Sequence, residues 1–336
     1  MSAEQRPRVV VITGASAGVG RAAAHAFARE GAHIGLIARS RDALQEAARE
    51  VVALGGRALV LPCDVADSAA IEAAATTVEE SLGPIDVWVN NAMASVFSPI
   101  KETPPEEFKR VTEVTYLGFV YGTLAALKRM LPRDRGVIVQ VGSALAYRGI
   151  PLQAAYCAAK HAIEGFCDSL RCELLHDGSN VRVTMIQMPA LNTPQFRWVK
   201  SRLPHKAQPV PPIFQPSVAA DAILYASHHP RREFIVGWPA FKAVYGNKIA
   251  PGIGDRFLAN MGYDAQQHDG PEDPNRPNNL WTTVEGKHST RGDFDQRAKD
   301  SSAWWFMSKN RGWFAAAAVA LLAIAAGGAA RQLDND

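Results

Sequence analysis

The chain contains 336 residues, of which 47% are hydrophobic and 21% are charged. This composition is ordinary for a globular protein and excludes a wholly disordered, collagen-like or coiled-coil chain. Lys and Arg total 36 against 33 Asp and Glu, so the net charge of +3 gives no reason to expect a nucleic-acid partner. The four Cys form no C-x-x-C pair and the nine His are scattered, so we expect no metal site and a reducing, cytoplasmic compartment.

Short apolar runs alternate with longer segments of helical periodicity over most of the chain. The runs predict buried strands at residues 9–13, 33–37, 58–62, 87–90, 136–141, 181–187 and 233–237. The helical segments lie between them, at residues 21–30, 40–54, 68–82, 105–131, 154–175 and 216–227. This alternation predicts an α/β fold, a doubly wound Rossmann-type parallel sheet with helices on both faces, formed as one domain by residues 1–250.

A glycine-rich loop follows the first predicted strand and leads directly into the first predicted helix. It reads GASAGVG from Gly14 to Gly20. Glycines permit a tight turn and let backbone N–H groups approach a pyrophosphate, where the helix N-terminus adds partial positive charge. The loop therefore predicts a dinucleotide site, with cofactor contacts at Gly14, Ser16, Gly18, Val19 and Gly20.

The spacing T-G-x-x-x-G-x-G resembles that of the short-chain dehydrogenase/reductase family, and Tyr156 and Lys160 match its Y-x-x-x-K signature. The resemblance covers residues 8 to about 245 and implies an enzyme that acts on CH–OH and C=O groups with a nicotinamide cofactor. Further family motifs follow in the same order along the chain. They imply cofactor contacts at Asp64, Val65, Asn91, Ala92, Tyr156, Lys160, Pro189 and Thr193.

By the same resemblance, Ser143, Tyr156 and Lys160 carry the chemistry. Tyr156 and Lys160 are four residues apart, so one helical face presents both side chains. The Tyr156 phenol would give its proton to a carbonyl oxygen during reduction, and the Ser143 hydroxyl would hold that oxygen. A free phenol titrates near pH ~10, so a neighbouring Lys160 ammonium is expected to favour the phenolate. Lys160 would also hold the nicotinamide ribose.

The end of the second strand bears on which nicotinamide cofactor is used. An NAD enzyme places a carboxylate there to accept the ribose hydroxyls. Here the strand ends in Ala38, Arg39 and Ser40, and the first acid is Asp42. Arg39 can pair with a 2′-phosphate and Ser40 can add a hydroxyl, so we expect NADP(H). NAD(H) stays open, as does any contribution of Arg41.

Two positions depart from the family pattern. Thr115 stands where an Asn is expected in V-N-x-x-G, and Met93 stands where N-N-A-G has its Gly. In the family, that Asn usually positions a water in the proton relay. Thr115 is therefore a candidate catalytic residue, and we expect the relay to be slower because Thr has a shorter reach than Asn. These departures leave open a catalytically weak or inactive relative that senses nucleotides or acts as a scaffold. The glycine spacing and the polar C-terminal part disfavour a sugar-nucleotide epimerase or dehydratase.

The substrate expectation rests on an aromatic stretch and on the chain's end. Phe196, Trp198, Val199 and Leu203 follow Thr193, and they line an apolar pocket or pack within a loop. We expect a small-molecule carbonyl or alcohol that is lipid-like or otherwise hydrophobic as substrate. Dimers and tetramers are common in the family, and no residue here decides whether the chain forms a homo-oligomer.

The last two regions differ sharply in composition. Residues 251–310 are polar and Pro-rich and predict a loop or tether, whereas residues 311–331 predict an apolar helix. Its uncharged part, residues 313–330, would span about 27 Å, close to a hydrocarbon core of about 30 Å. Trp304, Trp305 and Trp313 precede or begin it, as aromatic residues do at a membrane interface. The segment is either a transmembrane anchor that leaves the catalytic domain in the cytoplasm or a helix packed on that domain.

Overall fold

Seven parallel strands form one sheet within residues 6–286 and 288–313, the part of the chain that the computed structural model describes. The strands are β1 (Val9–Thr13), β2 (His33–Ala38), β3 (Arg57–Pro62), β4 (Val87–Asn90), β5 (Val137–Val141), β6 (Arg182–Gln187) and β7 (Glu233–Ile235). Their order is β3-β2-β1-β4-β5-β6-β7, and every neighbouring pair is parallel. This confirms the predicted doubly wound α/β sheet, whose strand order reverses between β1 and β4.

Helices cover both faces of the sheet. They are α1 (Gly18–Ala28), α2 (Arg41–Ala53), α3 (Ser68–Leu82), α4 (Pro105–Thr112), α5 (Gly118–Met130), α6 (Ala154–His176), α7 (Pro216–His228), α8 (Trp238–Ile249), α9 (Pro251–Met261) and α10 (Ala303–Lys309). Short strands outside the sheet pair Val96–Phe97 with Lys200–Ser201, His205–Ala207 with Gln267–Pro271, and Ile213–Phe214 with Ala298–Lys299. The last two pairings join the C-terminal extension to the main domain.

Two hydrophobic clusters lie on opposite faces of the sheet. Successive side chains of a strand point to opposite faces, so Val9 and Val11 of β1 belong to one cluster, and Val10 and Ile12 belong to the other. The first cluster packs beneath α3, α4, α5 and α6, and the second packs beneath α1, α2 and α7. Burial on both faces explains why the strands read as continuous apolar runs.

The second cluster also takes in Trp305 of α10. This side chain is 3% exposed, its ring contacts the rings of Tyr225 and Phe234, and its Nε1 donates to an Asp221 carboxylate oxygen at 2.5 Å. The expectation that Trp305 belongs to a membrane-interface set is therefore wrong, because its surface is already buried in the domain. Trp313, by contrast, is 80% exposed.

The long helix predicted over residues 105–131 is interrupted. A π-helical turn, Glu113–Leu117, separates α4 from α5. Gly118 follows this turn and lies close to the loop after β3. An added Cβ on Gly118 would lie 2.8 Å from Val65 Cγ2. A π turn inserts one extra residue and shifts the helix face that follows, which suits this close approach.

Three helices, α8, α9 and α10, lie where the sequence patterns predicted none. No residue of α9 is buried, so this helix lacks the buried stripe from which periodicity is read. Within the described ranges, no helix is both long and apolar enough to cross a membrane. Apart from Trp313, the segment expected to be an anchor lies outside the described residues, and it stays a prediction.

Gly122 of α5 allows the closest helix-to-sheet contact near the end of β4. An added Cβ would lie 2.2 Å from Asn90 Oδ1 and 2.6 Å from Trp88 Nε1, which share a hydrogen bond of 2.8 Å. We expect Gly122→Ala to destabilise the fold by about 2–4 kcal/mol through overpacking and loss of this buried bond. Urea unfolding would measure the difference in free energy.

Gly165 of α6 is the matched control. It is also within a helix, but an added Cβ would meet nothing within 4 Å. Gly165→Ala should therefore stabilise the protein by about 0.5–1 kcal/mol, the usual helical gain of Ala over Gly. Equal stability of the two variants would contradict the packing argument.

Candidate active site

One cavity of about 570 Å³ lies at the carboxyl edge of the sheet, lined by residues that follow β1 to β6. Nearly all of the predicted site residues line it. They are Gly14, Ser16, Gly18, Val19, Arg39, Ser40, Asp64, Val65, Asn91, Ala92, Ser143, Tyr156, Lys160, Pro189 and Thr193. Gly20 and Thr115 are the predicted residues that the structure leaves outside this lining.

The glycine-rich loop is held tightly against the end of β4. Gly14 has φ +68°, and an added Cβ there would lie 2.9 Å from Ala92 Cα. Gly20 does not line the cavity, but an added Cβ would lie 2.2 Å from the Gly14 carbonyl oxygen, so its role is close packing. Bare backbone at the N-terminus of α1 suits a pyrophosphate, and the loop therefore fits a dinucleotide.

The adenosine end of the predicted cofactor groove contains two cations, the half-buried Arg39 and the buried Arg110. Arg39 donates to the carbonyl oxygens of Asn279 at 2.5 Å and Trp281 at 3.0 Å, and burial lowers its pKa. Arg110, which the sequence patterns did not single out, hydrogen-bonds the Asp64 carboxylate. Burial is the largest single influence on the pKa of Asp64 and raises it, but the hydrogen bonds from Arg110 and the Ala66 N–H and the charges of Arg110 and Arg39 together hold it below its usual value.

The Ser40 side chain has a local structural task. Its hydroxyl oxygen accepts a hydrogen bond from the Ala43 N–H at 3.3 Å and so caps the N-terminus of α2. The hydroxyl hydrogen is still able to donate into the cavity. Arg41, the next residue, is exposed and does not line the cavity.

The three residues expected to carry the chemistry come together. Ser143 follows β5, Tyr156 lies in the first turn of α6, and Tyr156 and Ser143 share a side-chain hydrogen bond. Lys160 lies one turn further along, with Nζ 5.6 Å from the Tyr156 ring centroid. The structure thus brings a phenol, a hydroxyl and an amine to one end of the cavity.

Burial sets the protonation of this group. Lys160 is 2% exposed, donates to the Val141 carbonyl oxygen at 2.7 Å, and lies 4.5 Å from the Phe119 ring centroid. Burial lowers the pKa of Lys160 to about 7. Burial also raises the pKa of Tyr156, and the Ser143 hydrogen bond offsets only part of that rise. Both shifts have the same cause, because burial disfavours the charged form of each group.

Thr115 lies away from the cavity. Its side chain is fully buried, with the hydroxyl donating to the Ala94 carbonyl oxygen at 2.8 Å and accepting from the Ala94 N–H at 2.9 Å. Both capacities of the hydroxyl serve the backbone that leaves β4. Met93, the other departure, does line the cavity.

Much of the cavity lining is apolar. Phe196 and Trp198 line the cavity, as part of the predicted aromatic stretch, whereas Val199 and Leu203 pack into a small cluster with Phe97. The interpretation as pocket lining thus holds for Phe196 and Trp198, and the interpretation as loop packing holds for Val199 and Leu203. The remaining apolar lining comes from Phe97, Val210, Pro211, Pro239, Ala243, Phe257 and Leu258.

The C-terminal extension supplies lining that no sequence pattern indicated. Asn279, Leu280, Thr283, Val284 and His288 line the cavity opposite the glycine-rich loop. Their region was expected to be a loop or tether because of its polar composition, and it does lie draped over the domain. Its contacts run largely through backbone carbonyls, for which side-chain patterns give no signal.

Comparison with known proteins identifies relatives. The short chain dehydrogenase family model matches residues 8–203. The uncharacterized oxidoreductase YxnA of Bacillus subtilis is 33% identical over 285 residues, covering 84% of this chain and 80% of YxnA. The dehydrogenase/reductase SDR family protein 7-like of Anopheles gambiae is 38% identical over 191 residues, 55% of this chain and 60% of that protein. The fatty acyl-CoA reductase of Acinetobacter baylyi is 32% identical over 221 residues, 65% of this chain and 72% of that enzyme.

The position of Thr115 generates a stability prediction. Thr115→Val keeps the shape but leaves the buried N–H and C=O of Ala94 without their side-chain partner, which should cost about 1–3 kcal/mol. Thr115→Ser keeps the hydroxyl and should retain most of the stability. Urea unfolding of both variants tests this, and a Thr115→Val protein as stable as the parent would show that the hydroxyl has no such task.

Proposed function

Because this chain belongs to the short-chain dehydrogenase family, we propose that it interconverts an alcohol and a carbonyl with NADP(H), on a hydrophobic substrate. The chain is a dehydrogenase/reductase, and its family uses NAD(P)(H). One observation carries the finer proposal: Ser143, Tyr156 and Lys160 line the same cavity as the glycine-rich loop and Arg39. Acid/base groups and a dinucleotide cradle thus share one space.

The reaction divides between the cofactor and the chain's own residues. A bound nicotinamide supplies or accepts the hydride. In reduction, the Tyr156 hydroxyl donates its proton to the substrate oxygen, and the Ser143 hydroxyl orients that oxygen. A phenol has an ordinary pKa near ~10, so Tyr156 carries its proton at neutral pH and can act as the acid. The Lys160 ammonium hydrogen-bonds the ribose and stabilises the phenolate that remains after transfer.

Arg39 supports NADP(H) over NAD(H). Its described hydrogen bonds go to carbonyl oxygens, which do not neutralise its charge, and among the described residues no carboxylate lies within 4.0 Å of the guanidinium. Asp64 attracts this half-buried cation without forming an ion pair with it, so a bound anion would stabilise it further. The 2′-phosphate of NADP(H) is such an anion, and the guanidinium can bind it through two parallel N–H groups.

The cavity lining supports an apolar substrate. Phe97, Phe196 and Phe257, together with aliphatic and Pro residues, line the same cavity as Tyr156 and Ser143. Apolar walls with a few convergent polar groups are the usual form of a site for such a ligand. One relative is named a fatty acyl-CoA reductase, which agrees with a long-chain carbonyl substrate for this chain as well.

Tyr156→Phe tests the catalytic assignment. It removes the proton donor but keeps the ring, so NADPH binding should be retained while turnover of long-chain aldehydes and ketones falls at least ~100-fold. NADPH fluorescence would measure binding, and NADPH oxidation would measure turnover. The control is Tyr147→Phe, which removes a hydroxyl bonded to Glu164 and Glu233 outside the cavity and should leave turnover largely intact.

If Tyr156→Phe kept the parent's turnover, this acid/base assignment would be wrong. Dinucleotide binding by a parent protein that reduces none of these substrates would instead favour the nucleotide-sensing alternative.

Arg39→Asp tests the cofactor assignment. Removing a charge-assisted pair and adding a repelling carboxylate should weaken NADPH binding ~100-fold or more while changing NADH binding little. Arg41→Asp is the matched control, because Arg41 is exposed on the same loop and should change neither affinity by more than about threefold. Fluorescence titrations with both cofactors give the comparison. Equal losses for NADPH and NADH in Arg39→Asp would exclude a 2′-phosphate contact.

A further inference from the structure

We propose that the C-terminal extension forms the outer wall of the nucleotide site, so that a bound dinucleotide is enclosed and leaves only when this wall opens. The wall consists of residues 279–281 and 288–295, which we call the strap. The strap lies outside residues 8–203, the part that matches the family model. The inference rests on the proposed function, because it concerns the same dinucleotide cavity.

The strap is fastened first at the adenosine end. Arg39 donates to the Asn279 and Trp281 carbonyl oxygens, and Arg110 Nε donates to the Leu280 carbonyl oxygen at 3.0 Å. The Arg110 guanidinium also lies 5.6 Å from the Trp281 ring centroid. Three consecutive strap carbonyls are thus held by two arginines of the main domain.

The Leu280 side chain anchors this end further. It is 1% exposed and belongs to the hydrophobic cluster that contains Val65 and Val114. All three residues also line the cavity. Leu280 therefore presents an apolar surface to the space beside Asp64 and Arg39, where the adenosine part of a dinucleotide would lie.

A second attachment lies at the glycine-rich loop. The Gly18 N–H donates to the Ser289 carbonyl oxygen at 2.9 Å, and Arg21 donates to the His288 carbonyl oxygen at 2.5 Å. Arg21 is 4% exposed and is itself held by two hydrogen bonds to Glu50. The strap is therefore bonded to the start of α1, the element that would face the pyrophosphate.

The third attachment lies beside Thr193, at the nicotinamide end. The Gly292 N–H donates to the Asn192 carbonyl oxygen at 3.1 Å, and the Phe294 N–H donates to Asn192 Oδ1 at 3.0 Å. Asn192 Nδ2 donates in turn to an Asp295 carboxylate oxygen at 2.9 Å. An added Cβ on Gly292 would lie 2.5 Å from the Thr193 carbonyl oxygen, so the strap lies flat against this loop.

These attachments follow the length of the predicted groove. The same cavity is lined by Gly14 and Asp64 and by Leu280 and His288, so the strap shares this groove with the residues expected to hold the dinucleotide. A long, charged ligand cannot leave such a space sideways without breaking strap contacts. The strap carbonyls also fix the Arg39 guanidinium, so the extension positions the proposed 2′-phosphate ligand.

Stopped-flow exchange of NADPH on the full chain tests the enclosure. Leu280→Ser removes the apolar anchor, and Gly292→Ala lifts the other end by its clash with Thr193. Each should raise both the association and the dissociation rate constants at least tenfold, since an enclosing wall slows entry and exit alike. Leu175→Ser, a matched change at a side chain that is 78% exposed on α6, should change neither rate constant.

A second measurement uses the unaltered protein and so does not depend on the variants folding. Hydrogen exchange of the strap amides should slow on saturation with NADPH, because the ligand and the strap hold each other in place. Unchanged exchange, unchanged rate constants, or a rise in dissociation alone would overturn the enclosure while leaving the proposed function standing.

Other outcomes separate the two proposals. Binding of NADPH by Leu280→Ser but not by the parent would mean that the strap excludes the ligand, which overturns the enclosure. Binding of neither NADPH nor NADH by any of these proteins would overturn the proposed function, and the enclosure with it.

Discussion

The close contact between the loop after β1 and the end of β4 determines where everything else in the site can lie. The Thr13 hydroxyl accepts hydrogen bonds from the N–H groups of Asn91 at 2.9 Å and Ala92 at 3.1 Å. Gly14 then turns with a positive φ directly over Ala92. Strand order reverses at this contact, so the connections on either side diverge and leave a crevice. The glycine-rich loop lines one side of that crevice, and the ends of β5 and β6 line the other.

Two cations, Lys160 and Arg39, determine the electrostatics of the crevice. Lys160 and Arg39 are both held by backbone carbonyl oxygens, and in the described part of the chain no carboxylate lies within 4.0 Å of either. Burying a cation in such surroundings costs desolvation free energy, and a hydrogen bond to a neutral carbonyl offsets only part of it. A dinucleotide offers phosphates and ribose hydroxyls at the needed places. The proposed ligand would therefore be electrostatically complementary to these two cations.

Residues that act through their own type or spacing could be predicted from the sequence. Gly14, Tyr156 and Lys160 belong to spaced motifs, and the buried strands show themselves as apolar runs because both faces of the sheet are covered. The surroundings of Thr115 and Trp305 could not be predicted, because neither the residue type nor the spacing determines what these side chains contact. A Thr beside a motif gives the same sequence signal whether it faces a ligand or the core. A Trp near an apolar segment likewise gives the same signal whether it faces a membrane or the core. Their partners, the Ala94 backbone and Asp221, are distant in sequence and follow from packing alone.

The C-terminal extension was also hard to predict from the sequence, and its task differs from that of the catalytic residues. Ser143, Tyr156 and Lys160 are positioned by β5 and α6, inside the part that matches the family model. The strap is held partly through its backbone carbonyls, to which Arg21, Arg39 and Arg110 of the main domain donate. The Leu280 and Asp295 side chains hold it as well. Arg39 thus has two tasks, to fasten the wall and to present charge to the ligand. Opening the wall would free Arg39 to move, so closure over the nucleotide and recognition of its 2′-phosphate are expected to depend on each other.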